Sequence, residues 1–286
     1  MSSIDLAKIQ FHSQELSQLF SFLNKTVKTV APIHISGPVG CGKTTWSQWL
    51  ISQWPSMRLL QFEGRQLDVT DFKELTKEFI SGLICIENID RISSTMQSEL
   101  FSFLEQRNQS NQIKIITTST KKLRDLVSDE LFRLDLFCKL TVLQIDLPPL
   151  KNIKDEILST AEFYMRVFEI LYKKNNLKLS EAAIAKLASY NWPGNFSELE
   201  NVIERSVILS QDQFVAPEHI IFQFENRSSV DQDSLAGVSL SEMERRLILQ
   251  TLTLTDQNRT KAAQILGISI RTLRNKLHEY KEAGLL

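Results

Sequence analysis

The sequence predicts an α/β fold: a parallel sheet covered by helices, followed by a small helical segment and an all-α unit at the end. Short apolar runs alternate with helical stretches over the first 150 residues, and these runs are continuous, as in strands buried on both faces. From about residue 152 to residue 223 only helical periodicity continues. After a polar interval, the last stretch has the caps and small residues of two crossing helices joined by a turn.

The predicted elements alternate between helices and strands in the first part of the chain. An apolar stripe at three- and four-residue spacing, Leu16, Leu19, Phe20 and Leu23, indicates a first helix. The predicted strands are Ile33–Ile35, Met57–Phe62, Leu83–Ile86, Ile113–Thr118 and Leu143–Leu147. The helices between them are predicted at Lys43–Ser52, Asp71–Phe79 and Thr95–Arg107.

Only helices are predicted in the rest of the chain. They are Ile157–Lys173, Ser180–Ser189, Phe196–Leu209, Arg259–Leu266 and Ile270–Tyr280. The predicted domains are an α/β subdomain at 1–150, a helical subdomain at 151–224, a linker at 225–237 and a helix-turn-helix domain at 238–286. The linker is assigned from its run of polar residues.

Composition excludes several classes of protein. A chain of 286 residues with 42% hydrophobic residues supports two or three compact domains. No apolar run approaches the roughly 18 residues of a membrane helix, and the first residues lack the basic and apolar regions of a signal peptide. The three cysteines lie far apart, which fits reduced thiols. We therefore expect a cytoplasmic protein with no membrane partner.

The charge of the chain is unevenly distributed. The net charge is −1, but the segment 258–281 carries six Lys or Arg residues against one acid, Glu279, which makes it +5 and leaves −6 for the remainder. A basic C-terminal segment on an otherwise acidic chain predicts a local anionic partner.

The first motif with chemical meaning is Gly37-Pro38-Val39-Gly40-Cys41-Gly42-Lys43-Thr44, which matches the phosphate-binding P-loop pattern. Its glycines allow a tight turn that directs N–H groups at phosphate oxygens, and the following helix adds its positive end. We predict that ATP is bound by Gly37, Gly40, Gly42, Lys43, Thr44 and Thr45, and that Thr44 holds Mg²⁺. The alternative is a glycine-rich turn that binds nothing.

The last predicted helix separates an apolar side from a polar side. Ile270, Leu273, Leu277 and Tyr280 recur at three-four-three spacing and are predicted to point inward. Arginine pairs with guanine edges and asparagine with adenine edges in the major groove, so the polar side predicts contact with double-stranded DNA. The predicted DNA-binding residues are Arg271, Thr272, Arg274, Asn275 and Lys276. The alternative is a solvated basic face on a packing helix.

From about residue 10 to its end, the chain resembles the NtrC-type bacterial enhancer-binding activators. The resemblance rests on the P-loop, on Leu147-Pro148-Pro149-Leu150, on Trp192-Pro193-Gly194-Asn195 followed by Glu198-Leu199-Glu200-Asn201, and on the segments 258–263 and 271–277. It implies an AAA+ ATPase domain with a helical lid, a Fis-type helix-turn-helix domain, and action on the sigma-54 RNA polymerase. With the P-loop at residue 37, the family's usual N-terminal receiver domain has no room ahead of it in this sequence.

The resemblance also implies catalytic residues, and two of them are altered. Family members carry an Asp-Glu pair after the third strand, where Asp holds Mg²⁺ and Glu polarises water; this chain has Glu87-Asn88. Glu87 keeps a carboxylate for Mg²⁺, whereas Asn88 cannot accept a proton, so hydrolysis is expected to be impaired. The polar sensor position corresponds to Thr120, which can still form a hydrogen bond.

Further differences fall on the residues that reach a nucleotide or a partner. The family's arginine-finger pair corresponds to Arg133 and Lys139, of which only Arg133 keeps the guanidinium. The family's lid arginine corresponds to Ser197. The GAFTGA loop that contacts sigma-54 has no counterpart between Thr45 and Ile86.

These observations predict a homo-oligomeric regulator, a dimer through its C-terminal domain or a larger assembly, that binds DNA and ATP but hydrolyses ATP slowly or not at all. One alternative is an ATP-driven sigma-54 activator in which Glu87 serves catalysis in an altered register. Another is an accessory subunit that lends Arg133 to a neighbouring AAA+ activator. RNA polymerase and such an activator are therefore candidate partners.

Overall fold

The computed structural model describes residues 11–107, 113–210, 213–222, 244–245, 247–249, 251–252, 255 and 258–282. The chain divides into two compact units, Met1–Phe222 and Gln223–Leu286. The predicted linker at 225–237 lies outside the described residues.

The first unit is built on a five-stranded parallel sheet in the order β2-β3-β4-β1-β5. The strands are β1 (Ile33–Ser36), β2 (Leu59–Glu63), β3 (Gly82–Glu87), β4 (Ile113–Ser119) and β5 (Leu143–Asp146). The predicted α/β sheet is confirmed, with one shift at β2. Met57 lies outside that strand because its N–H donates to the carbonyl of Trp54 at 3.1 Å and closes a turn.

Helices cover the sheet between the strands. They are α1 (Gln14–Thr26), α2 (Lys43–Ser52), α3 (Val69–Thr76), α4 (Ser94–Arg107), α5 (Leu123–Ser128) and α6 (Leu134–Leu140). The last two were not predicted, because helices of six and seven residues are too short to show periodicity. Ser13 caps α1 by accepting the N–H of Leu16, and Asp68 caps α3 by accepting that of Thr70.

Three further helices, α7 (Asp155–Leu171), α8 (Glu181–Ser189) and α9 (Asn195–Leu209), follow the sheet and form what we call the lid. The prediction that this region contains no strand is wrong. β6 (Lys178–Leu179) and β7 (Phe214–Val215) form a parallel pair in the lid. Strands of two residues are too short to leave a pattern in the sequence.

Two apolar clusters hold the first unit together. One joins α1, α2 and β1 to the lid and includes Leu23, Trp49 and Trp192. The other lies between strands β2 to β4 and helices α3 to α6 and includes Phe72 and Ile86. Because the strands are parallel, both clusters support one common edge where the carboxyl ends of the strands meet.

The second unit contains α10 (Arg259–Ile265) and α11 (Ile270–Glu282), joined by a turn at Gly267. The Asn258 side chain caps α10 by accepting two backbone N–H groups. Residues 244–245, 247–249 and 251–252 are helical as well. The buried side chains of this unit are Ile248, Leu252, Ala262, Ala263, Leu273 and Tyr280. Ile270, predicted to point inward, is 38% exposed because it stands in the first turn, at the end of the core.

One lysine in the sheet is buried. Lys114 lies on β4, and its Nζ donates hydrogen bonds to the carbonyl oxygens of Thr29 at 2.8 Å and Ala31 at 2.6 Å. Burial lowers the pKa of this ammonium group from 10.5 to about 8. It joins the segment between α1 and β1 to the sheet.

Replacing Lys114 by Met should change how stability depends on pH. The unfolded chain keeps the proton up to the ordinary pKa of 10.5, whereas the folded protein releases it near about 8. The unfolded state therefore binds more protons between these values, so Lys114 favours folding increasingly as the pH rises. Urea titrations of both proteins at roughly pH 7 and roughly pH 10 measure this change. The free energy of unfolding of the wild type minus that of Lys114→Met should be larger at the higher pH. A value of this difference that does not rise with pH would contradict the role of Lys114.

Candidate functional site

The P-loop lies between β1 and α2, at the carboxyl edge of the sheet, and its glycines take conformations that other residues avoid. Gly40 has φ of +75° and Gly42 has φ of +93°. A Cβ atom on Gly40 would lie 2.1 Å from the carbonyl oxygen of Gly194. A Cβ atom on Gly37 would lie 2.7 Å from Sγ of Cys41. The loop therefore requires glycine both for its turn and for close contact with the lid.

Lys43 begins α2, and its side chain folds back over the loop. Its Nζ donates to the carbonyl oxygens of Gly37 at 2.8 Å and Pro38 at 2.9 Å. Burial lowers the pKa of this ammonium group from its ordinary value. Thr44 and Thr45 occupy the first turn of α2, where they are exposed and half-buried. An anion in the loop would meet the ammonium group and the positive end of a ten-residue helix.

Thr44 and Glu87 lie together beside this loop. Glu87 ends β3, and its Oε2 accepts a hydrogen bond from Oγ1 of Thr44 at 3.1 Å. Its Oε1 accepts one from Nε2 of Gln61 at 3.0 Å. A hydroxyl and a carboxylate are oxygen donors that suit Mg²⁺, which in nucleotide sites completes its shell with phosphate oxygens and water. Across the described residues, no three His, Cys, Asp or Glu side chains form a metal site by themselves.

Asn88 stands at the centre of a hydrogen-bonded chain beyond Glu87. It has φ of +51°, which turns the backbone away from the sheet. Its Nδ2 donates to both carboxylate oxygens of Glu63, at 3.1 and 3.2 Å. Its Oδ1 accepts from Oγ1 of Thr120 at 3.3 Å, and its backbone N–H donates to Oγ1 of Thr118 at 3.1 Å. The predicted sensor residue thus contacts Asn88 and, through it, Glu63.

Sequence reasoning missed Glu63 and the glycine that follows it. Glu63 is the last residue of β2 and pairs in register with Glu87. The N–H of Gly64 donates to the carbonyl of Glu87 at 2.7 Å, and a Cβ there would lie 2.3 Å from the carbonyl oxygen of Asn88. Glycine therefore lets the ends of β2 and β3 come together. The Glu-Gly pair at the end of the strand was the sequence feature that could have indicated these two residues.

The start of α9 lies against the P-loop. Nδ2 of Asn195 donates to the carbonyl of Val39 at 2.8 Å, and Oδ1 of Asn195 accepts the N–H of Leu150 at 2.8 Å. The N–H of Ser197 donates to the carbonyl of Gly40 at 3.3 Å. Ser197 thus stands beside the loop, but its short neutral side chain brings no positive charge to it.

Arg133 and Lys139 lie on the surface of the first unit, each paired within its own chain. The guanidinium of Arg133 donates to Asp135 at 3.0 and 2.6 Å and to Oγ of Ser98 at 2.9 Å. Nζ of Lys139 lies 2.6 Å from Oε1 of Glu105. The structure does not place Arg133 at the P-loop of its own chain.

In the second unit, the predicted DNA-binding residues occupy α11 but differ in accessibility. Arg271, Arg274 and Asn275 are exposed. The hydroxyl of Thr272 is 2.7 Å from Oγ of Ser269, at the start of the helix. Nζ of Lys276 donates to Oε2 of Glu244 at 2.8 Å within the same unit. Thr272, His278 and Glu279 are exposed on α11 as well, whereas Lys276 is half-buried.

Three protein-family profiles match successive parts of the chain. The sigma-54 interaction domain matches residues 12–150, the AAA+ ATPase lid domain residues 152–236, and the Fis family of bacterial regulatory proteins residues 239–280. Among the described residues, no helix is long and apolar enough to cross a membrane.

The similar proteins include bacterial transcriptional and response regulators. The transcriptional regulatory protein FlbD of Caulobacter vibrioides is 31% identical over 73% of this chain and 51% of its own length. The response regulator protein PilR of Pseudomonas aeruginosa is 26% identical over 93% of this chain and 68% of its own length. The chain spans about half the length of the first relatives that it matches.

Solved structures show the same fold. NtrX from Brucella abortus, crystallised in complex with ADP, has a TM-score of 0.66 at 20% identity and covers 96% of this chain and 70% of its own. The RuvB Holliday junction branch migration motor of Thermotoga maritima has a TM-score of 0.55 at 16% identity, over 92% and 84% of the two chains.

The sheet order, the P-loop and the helical lid define an AAA+ fold joined to a C-terminal helix-turn-helix region. Domain by domain, the chain belongs to the sigma-54 interaction, AAA+ lid and Fis families whose profiles it matches, and it is similar to bacterial transcriptional regulatory proteins.

Replacing Gly40 by Ala should destabilise the first unit more than replacing Gly42 by Ala. Both changes force a side chain into the left-handed region, at about 1–2 kcal/mol each. Only at Gly40 would the new Cβ also meet a main-chain atom, at 2.1 Å, whereas the nearest atom at Gly42 is 3.7 Å away. Denaturant unfolding measures both variants. Equal losses would contradict the close contact between loop and lid.

Proposed function

We propose that this protein is a sequence-specific DNA-binding transcriptional regulator whose AAA+ domain binds ATP with Mg²⁺ and hydrolyses it slowly. Nucleotide then acts as an assembly ligand or a conformational switch, and α11 reads the DNA. One observation carries the proposal. The chain combines a complete P-loop and a helix, α11, with exposed arginine and asparagine side chains, but it has an asparagine at position 88.

ATP binding is supported by the geometry of the loop. Gly37, Gly40 and Gly42 shape it, and Lys43 supplies the positive charge that triphosphate oxygens require. Thr44 and Thr45 follow in the first turn of α2. Thr44 and Glu87 would hold Mg²⁺, whose chemical contribution is to bridge and neutralise phosphate oxygens.

Slow hydrolysis follows from the residue next to Glu87. A general base contributes about 10²–10⁴-fold to a rate, and the Asn88 amide cannot accept a proton. The missing charge at Ser197 and the pairing of Arg133 with Asp135 work in the same direction. Binding without rapid turnover suits a switch better than a motor.

DNA recognition is supported by α11. Arginine and asparagine on one exposed side of a helix match the edges of guanine and adenine in the major groove. The helix-turn-helix turn at Gly267 and the Asn258 cap give the unit its shape. Proteins of this kind read paired half-sites as dimers, so we propose a homo-oligomer that is at least dimeric through this domain and acts in the cytoplasm.

A second candidate function is an ATP-hydrolysing sigma-54 activator, working alone or as an accessory subunit. Two observations favour it. Glu63 brings a carboxylate to Asn88, and the Arg133 side chain is 43% exposed, from where it could reach a neighbouring subunit. RNA polymerase or another AAA+ activator would then be the partner. A turnover rate that rises with protein concentration would favour this candidate.

Replacing Lys43 by Ala should abolish ATP binding, because Lys43 is the only positively charged residue of the P-loop. Lys25→Ala, which removes an exposed lysine from α1, is the matched control and should bind ATP like the wild type. Calorimetric titration with Mg-ATP measures the affinity, and phosphate release on the same samples measures turnover. Equal affinity in Lys43→Ala and the wild type would contradict the nucleotide site.

Replacing Arg274 by Ala should weaken binding to a specific duplex by about 1–3 kcal/mol, because a contact with a base edge is lost. The duplex is obtained by selection from random sequence, and fluorescence anisotropy measures its affinity. Arg166→Ala removes the same charge from an exposed position on α7 and should leave the affinity unchanged. Equal affinities for Arg274→Ala and the wild type would count against α11 as the reading helix.

A further inference from the structure

The carboxyl edge of the sheet brings several acidic side chains near the P-loop. Glu87 ends β3, Glu63 ends the neighbouring strand β2, and Asp90 follows Asn88. Hydrolysis of ATP requires a group that can accept a proton from water, and in this chain the residue after Glu87 is an amide. Glu63, Glu87 and Asp90 are the carboxylates at this edge that are candidates for that role.

Two of the three carboxylates are already engaged in other ways. Glu87 accepts hydrogen bonds from Thr44 and Gln61 and is the proposed Mg²⁺ ligand. Both oxygens of Asp90 accept backbone N–H groups, from Thr120 at 3.2 Å and Lys121 at 3.3 Å. Those contacts fix Asp90 to the end of β4, so it serves the fold of that segment.

Glu63 has a different environment. It is half-buried, and both its oxygens are held by one neutral donor, Nδ2 of Asn88. An amide donor carries no charge, so it orients the carboxylate without forming an ion pair with it. Asn88 is in turn held by Thr120 and Thr118, on the neighbouring strand.

We infer that Glu63, on β2, is the carboxylate that polarises the attacking water, and that Asn88 positions it. The inference rests on the proposed ATP binding. The water oxygen attacks the γ-phosphorus while the bond from that phosphorus to the β–γ bridging oxygen breaks. Glu63 takes the proton of the water, ADP leaves, and the proton passes to solvent as inorganic phosphate departs. We attribute slow turnover to the position of this base, which lies on the adjacent strand and is held there by Asn88.

Gly64 makes this arrangement possible. Only a residue without Cβ allows the chain after Glu63 to lie against the carbonyl of Asn88, since a Cβ would approach that oxygen to 2.3 Å. The hydrogen bond from the N–H of Gly64 to the carbonyl of Glu87 continues the β2–β3 pairing to the site. Glu63 is thereby fixed beside Asn88 at the end of its strand.

The test compares the wild type with Glu63→Gln in the full chain. Turnover of Mg-ATP should fall at least about a hundredfold, the lower end of the range for loss of a general base, while ATP affinity stays within about twofold. A binding readout accompanies it: affinity for ADP with aluminium fluoride, which mimics the in-line state, should fall about tenfold relative to affinity for ADP. Glu74→Gln, an exposed position on α3, is the matched control and should change none of these values.

A second variant exchanges the two side chains. Glu63→Asn combined with Asn88→Glu keeps a carboxylate and an amide across the same hydrogen bond, so turnover should return at least to the wild-type rate. Because the exchange also restores the hydrogen bond, a catalytic role is separated from a structural one by the unchanged ATP affinity of Glu63→Gln.

The outcomes are distinct. ATP binding with a wild-type rate no higher than that of Lys43→Ala, or with equal rates in Glu63→Gln and the wild type, would overturn the role of Glu63 and leave the proposed nucleotide switch intact. Failure of the wild type to bind ATP would overturn the proposed nucleotide site and this inference with it.

Discussion

The start of α9 lies against the P-loop through main-chain atoms, and this contact constrains both segments. Gly40 and Gly194 approach more closely than a Cβ would permit, and Asn195 links the carbonyl of Val39 to the N–H of Leu150. The contacts of Gly40 with Gly194 and Ser197 are made by main-chain atoms, so they cannot yield by rotating a side chain. A ligand that reshapes the loop must therefore shift the start of α9. This helix is packed into the lid core through Leu199. This contact would couple the loop to the lid in the proposed nucleotide switch.

The second constraint is the parallel sheet itself. Because the carboxyl ends of β1 to β4 meet at one edge, residues distant in sequence share one small volume. Glu63, Glu87, Asn88 and Thr120 come together there from three different strands or their ends. A carboxylate and an amide face each other across this hydrogen bond, with Glu63 at the end of β2 and Asn88 just after β3.

Local patterns in the sequence were sufficient for most of the fold. The helix Lys43–Ser52 was predicted with its observed bounds, and all five strands of the sheet were placed, because buried parallel strands leave continuous apolar runs. The role of Glu63 was not accessible, since its contact with Asn88 joins positions 25 residues apart and depends on strand register. The pairings of Arg133 and Lys276 were missed for the same reason: exposed charges carry no periodic signal that names their partner.

Amide hydrogen exchange of the full chain, with and without Mg-ATP, tests the coupling between loop and lid most directly. The relevant segments are residues 37–46 and residues 194–202, which share the contact described above, with residues 155–171 of α7 as an internal reference. ATP should increase protection in both segments at the same nucleotide concentration. Protection that changes in the P-loop alone, with no change at the start of α9, would contradict this coupling.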